Sequence, residues 1–111
     1  VNILYLAGHE NEPVQQTLYK ADGSVFDLTG YTPSFILRLE FDAANAFSAS
    51  GAGHVDVVGP AVNGTVLYTP SDGEYTGAGM VVGIYLGFWV ATQTGRTKHF
   101  DAGRFEVRKG F

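Results

Sequence analysis

Residues 33–41 alternate: Phe35, Leu37, Leu39 and Phe41 share one parity, Ile36, Arg38 and Glu40 the other. A strand sends successive side chains to opposite faces, so this stretch predicts a half-buried strand. Between Gly79 and Thr92, GMVVGIYLGFWVAT, the alternation disappears. Met80, Val82, Ile84, Leu86, Phe88 and Val90 share one parity; Val81, Gly83, Tyr85, Gly87, Trp89 and Ala91 share the other. Both faces are therefore apolar. Periodicity alone cannot separate helix from strand in such a run, but its β-branched and aromatic residues and its glycines favour a strand. The run is shorter than the ~20 apolar residues that cross a bilayer as a helix. It predicts a central strand with the domain core on one face and another cover on the second.

The remaining chain reads as short strands between turns. Strands are expected over residues 2–7, 14–20, 25–28, 54–58, 65–69, 97–100 and 104–108. Polar connections fall at 8–13 and 70–77, and turns at 21–24, 29–30, 59–64, 93–96 and 101–103. Asp22-Gly23 and Gly95 mark hairpins, where glycine tolerates positive φ. Residues 42–53, rich in Ala, Ser and Gly, predict a mobile loop over 43–53 with a helical turn at 43–47, and the first site of proteolysis. Phe35, Leu37, Leu39, Tyr68, Tyr85, Trp89, Phe105 and Val107 are the expected core. Regular short strands without a long helix predict a single all-β antiparallel sandwich or barrel spanning residues 1–111.

Composition narrows the function. A chain of 111 residues suits one core. A net charge of −4 with 7 Lys+Arg lacks the basic footprint of nucleic-acid binding. With no cysteine there is no disulfide and no thiolate metal site. The first residues, VNILYLAGHE, are apolar without the basic leader of a signal peptide. No membrane association is expected.

The segment LYKADGSVFDLTGYTPSFILRLE, residues 18–40, resembles the first half of the immunoglobulin-like domain of phage baseplate upper proteins and related tail proteins. Asp22-Gly23 and Asp27-Leu28-Thr29-Gly30 stand at that family's acidic-glycine turn and DLTG positions. Gly83-Ile84-Tyr85, Gly95-Arg96, His99-Phe100 and Gly103-Arg104-Phe105-Glu106-Val107 match its second half. The resemblance covers about residues 12–109 and rests on turn chemistry and core pattern. Phe100-Asp101 replaces a frequent proline, and the usual polar positions of the G-x-Y strand are apolar here. The resemblance implies an immunoglobulin-like antiparallel β-sandwich and a virion component rather than a catalyst.

No motif argues for catalysis or a cofactor. His9-Glu10 lacks the second histidine of H-E-x-x-H. His54 and Asp56 share a strand face, but two ligands do not make a metal site. Asp22, Asp27, Asp42, Asp72 and Asp101 match no calcium-loop spacing and read as turn residues. Gly77, Gly79 and Gly83 lead into a strand rather than a helix, against a dinucleotide loop. Serines 24, 34, 48, 50 and 71 lack a G-x-S-x-G elbow. Nothing in the sequence pairs Glu10, Glu12, Glu40, Glu74 or Glu106 with an aspartate for glycoside hydrolysis. Tyr75, Tyr85 and Trp89 read as packing residues rather than a sugar platform, with Tyr85 also placed to form the tyrosine corner of immunoglobulin-like sandwiches.

The expectation is a non-enzymatic structural protein of a phage tail or baseplate, localised in the virion. It would bind other virion proteins as a homo-oligomer or multi-copy assembly. The alternatives are a capsid decoration protein and a carbohydrate-binding module that attaches to host glycan. If Tyr85 and Trp89 point into the sandwich, Ile84, Leu86, Phe88 and Val90 point out. These four are the expected protein interface.

Overall fold

In the computed structural model, which describes residues 2–6, 11–40 and 45–110, the strand-rich pattern becomes eight strands in two packed sheets. The strands are β1 (Asn2–Tyr5), β2 (Val14–Thr17), β3 (Thr32–Leu39), β4 (Asn45–Ser50), β5 (Val55–Val57), β6 (Thr65–Tyr68), β7 (Gly83–Gln93) and β8 (Arg96–Arg108). A 3₁₀ turn, Ala61–Asn63, and one helical turn, α1 (Glu74–Gly77), lie in the connections. The larger sheet runs β1-β8-β7-β3-β4 and the smaller β2-β6-β5.

This connectivity is immunoglobulin-like. The order β8-β7-β3 corresponds to G-F-C, β4 to the added C′ strand, and β2-β6-β5 to B-E-D. The expected sandwich is therefore observed, with one correction: β1 pairs with β8 in parallel, so the larger sheet is not wholly antiparallel.

Packing explains the order. Phe35 on β3 stacks on Tyr68 on β6 at 4.5 Å between ring centroids, and Trp89 and Phe105 close around Phe35 at 4.9 and 5.6 Å. Seven of the eight expected core residues are buried, while Leu39 is only half-buried against the cluster. Trp89 Nε1–H donates to Gln16 Oε1 at 3.1 Å, and Gln16 Nε2 donates to the Asp101 carbonyl at 2.8 Å. These bonds tie β2 to the opposite sheet and satisfy the indole as it is buried. The bare face of Gly87 admits Phe105, because a Cβ there would lie 2.4 Å from the Phe105 ring.

Several local expectations are corrected. Residues 45–50 form strand β4, not a loop or helical turn: Phe47 and Ala49 turn inward, Ser48 and Ser50 outward. Residues 41–44 lie outside the described residues. Residues 25–28 form no strand; a single bridge joins Val25 to Tyr19. The turn at 101–103 is instead a bulge within the continuous β8: Gly87 pairs with Gly103 and Phe88 with Asp101, leaving Ala102 extra. The Asp101 carboxylate accepts the Gly103 N–H at 2.9 Å and braces the bulge. The central strand starts at Gly83 rather than Gly79. Ahead of it, Tyr85 O–H donates to the Val81 carbonyl at 2.8 Å and accepts the Val81 N–H at 3.2 Å, forming a tyrosine corner. Gly23 and Gly95 adopt positive φ, +89° and +76°, as the hairpin reading requires.

Candidate interaction face

The outer face of the larger sheet is built from β7 outward. Ile84, Leu86, Phe88 and Val90 alternate with the core residues Tyr85, Gly87, Trp89 and Ala91. Cross-strand register fixes their flanks. Glu40, just past β3, donates its backbone N–H to the Ile84 carbonyl, while Arg38, Ile36 and Ser34 on β3 sit beside Leu86, Phe88 and Val90. On β8, Glu106, Arg104, Asp101 and His99 sit beside Ile84, Leu86, Phe88 and Val90. The strip thus carries a carboxylate row at one end, an arginine row next, and Asp101 and His99 beyond.

The flanking side chains partly cover the strip. Arg104 Nη2 donates to both oxygens of Glu40 at 2.6 and 2.5 Å, bridging across β7 between Ile84 and Leu86. Arg38 lies over Phe88 with its guanidinium carbon 5.3 Å from the ring centroid. Ile84, Leu86 and Phe88 remain half-buried rather than bare. Val90, the fourth residue of the expected interface, is covered by its own chain and only 8% exposed. Beside Phe88, a cavity of about 280 Å³ is lined by Ile36, Arg38, Phe88 and His99. On β1, the exposed Ile3 pairs with Glu106 and extends the face toward that edge. Ser34 and Ser50 beside Val90, and the row Thr32, Thr92 and Thr97 past it, make the face hydroxyl-rich.

The other candidate chemistry lies at the β4–β5 end. Glu74, on α1, accepts from the Tyr68 hydroxyl and meets His54 Nε2 at 2.6 Å. The Tyr68 and Tyr75 hydroxyls are 2.7 Å apart. Burial first, then Tyr75 and Glu74, push the Tyr68 phenol far above its ordinary value. Burial and the Glu74 charge also raise Tyr75, outweighing its Tyr68 hydrogen bond. Both phenols therefore stay protonated. The cluster pins α1 to the strands and offers no activated nucleophile.

The remaining candidates do not converge. Asp56 accepts the Gly53 N–H, at 3.0 and 3.2 Å from its two oxygens, while His54 turns to Glu74, so the two do not share a site. Ser24 and Thr29 donate through hydroxyl and N–H to Asp22 and Asp27, holding both carboxyls below the usual range. Glu106 pairs with Arg108, which lowers its pKa. No cluster of three or more His, Cys, Asp or Glu able to hold a metal occurs among the described residues. His9, Glu10 and Asp42 lie outside them. Tyr75, Tyr85 and Trp89 are buried and form no stacking platform.

Sequence reasoning located the β7 strip and, through the alternation of residues 33–41, its β3 flank. It missed the β8 flank. The Ala102 bulge reverses parity within β8, so even-numbered Arg104 and odd-numbered Asp101 and His99 share one face. The Asp-Ala-Gly sequence was the available signal, but it reads equally well as a turn. No protein-family model matches the chain, and no curated protein or solved structure matches it.

Proposed function

We propose that this chain is a non-enzymatic structural module of a phage virion, an immunoglobulin-like unit of the tail or baseplate that binds other virion proteins. The observation that carries the reading is the outer face of the larger sheet. An antiparallel sheet with one solvated face normally alternates apolar and polar residues. Here the central strand presents Ile84, Leu86 and Phe88 outward, half-buried on a regular scaffold with a cavity beside Phe88. Such a surface suits protein contact: an apolar centre with a charged rim. The sequence resemblance to baseplate and tail domains supplies the virion context. The buried Tyr75, Tyr85 and Trp89 favour this reading over a glycan-binding module, which requires exposed rings.

Particle assembly tests the proposal. Leu86→Ser and Phe88→Ser together should leave the isolated fold largely intact, because both side chains lie outside the core. The variant should fail to enter particles. Normal incorporation of the folded variant would overturn the reading. Locating the chain in a density map of intact particles separates a tail or baseplate position from capsid decoration.

A further inference from the structure

We infer that the outer face of the larger sheet pairs with a second copy of itself, about a two-fold axis that runs across the strands between Leu86 and Phe88. The inference rests on the assembly reading above and adds the occupant and its orientation.

Charge order selects this arrangement. Across β3, β7 and β8, the rows read Glu40, Ile84, Glu106; then Arg38, Leu86, Arg104; then Ile36, Phe88, Asp101; then Ser34, Val90, His99. Two copies can stack face to face about an axis parallel to the strands or across them. A parallel axis would set Arg104 against Arg38 of the second copy and Glu106 against its Glu40. Both contacts are like-charged and unfavourable, although Glu40 partly offsets Arg104 and Arg108 partly offsets Glu106 within each copy. The transverse axis sets each β8 against its own counterpart in the opposite direction. Arg104 then meets Asp101 of the second copy, Glu106 meets its His99, and Leu86 meets its Phe88, at the cavity formed by Ile36, Arg38, Phe88 and His99. Every contact occurs twice, as an isologous interface requires. The ≈30° crossing imposed by sheet twist preserves these contacts nearest the axis.

The area sets the strength. Five strands about 4.8 Å apart and four outward rows about 6.7 Å apart give a face of roughly 400–650 Å². Stable interfaces bury about 800 Å² per partner. The free chain should therefore associate weakly, while copies held together in a particle gain from effective concentration.

Sedimentation equilibrium on the full chain from about 10 μM to 1 mM tests this. The wild type should dimerise, and its chemical shifts on dilution should change most at Ile36, Leu86 and Phe88. Asp101→Lys alone and Arg104→Glu alone should each weaken the dimer about tenfold through like-charge contacts. An equimolar mixture of the two variants should recover it, because each then meets the opposite charge. A wild type that stays monomeric at the highest concentration would overturn the inference. So would shifts confined to the β4 edge, or a mixture no stronger than its components. A monomer whose Leu86→Ser, Phe88→Ser variant is still excluded from particles removes self-pairing and leaves the assembly proposal intact.

Discussion

The Tyr85 hydroxyl closes on the backbone of Val81, 2.8 Å from its carbonyl oxygen and 3.2 Å from its nitrogen. Tyr85 is buried while Val81 is 57% exposed, so this contact anchors the corner ahead of β7 to the core. It fixes where the central strand begins and hence which of its side chains face outward. Tyr85→Phe keeps the ring and removes the hydroxyl. It should cost about 1 kcal/mol, the net contribution of an ordinary hydrogen bond. Urea unfolding with an unchanged midpoint and slope would show that water replaces the hydroxyl without loss.

Leu37 lies fully buried on β3. Leu37→Ala should cost ~2–5 kcal/mol, the span being set by how far the cavity collapses. Fluorescence-monitored urea melts would read this through Trp89, and a loss well under this range would mean that the core relaxes around the site.

Gly64 and Gly95 both have positive φ, but only one is crowded. A Cβ at Gly64 would lie 2.5 Å from the Phe26 carbonyl oxygen and 2.6 Å from Val25 Cγ1; at Gly95 it would meet nothing within 4 Å. Gly95→Ala should cost about 1 kcal/mol from backbone strain alone. Gly64→Ala should cost clearly more, because the Tyr19–Val25 loop must move. Equal losses in thermal melts would contradict the close approach.

Asp27 is held in its ionised form first by the Thr29 hydroxyl and then by the Thr29 N–H. Its folded-state pKa is depressed, so its contribution is complete above the unfolded value of about 4 and fades as pH falls through the folded value. Asp27→Ala should therefore destabilise the protein at pH 7, with the difference from wild type shrinking below about pH 4. A gap that stays constant down to pH 2, about two units below the unfolded value, would assign the effect to the turn conformation rather than to the charge.

β4 replaces an expected mobile loop, and this changes where protease should act. Residues 45–50 are paired to β3 through backbone hydrogen bonds, with Phe47 buried. Limited proteolysis should spare Phe47–Ser48. Early cleavage there would mean that this edge strand opens readily.

Local pattern determined much of this protein. The alternation of residues 33–41 specified β3 and its two faces, because a strand's period of two is a local property. Acidic-glycine and glycine-containing turns specified positive φ at Gly23 and Gly95, because only the local backbone decides that. The doubly apolar run marked β7 as central, and the immunoglobulin-like resemblance, by placing Tyr85 and Trp89 inside, marked Ile84, Leu86 and Phe88 as outward. Tertiary structure decided the rest. β4 is a strand because β3 offers it a ladder, and its Ala and Ser residues carry too little propensity to reveal that alone. The bulge at Ala102 places Asp101 and His99 beside Arg104 only after β7 and β8 have paired, since register belongs to the pair and not to either sequence. Glu40 and Arg104, 64 positions apart, meet only because β7 lies between their strands. Side-chain identity set the apolar strip, and strand pairing set the charges around it.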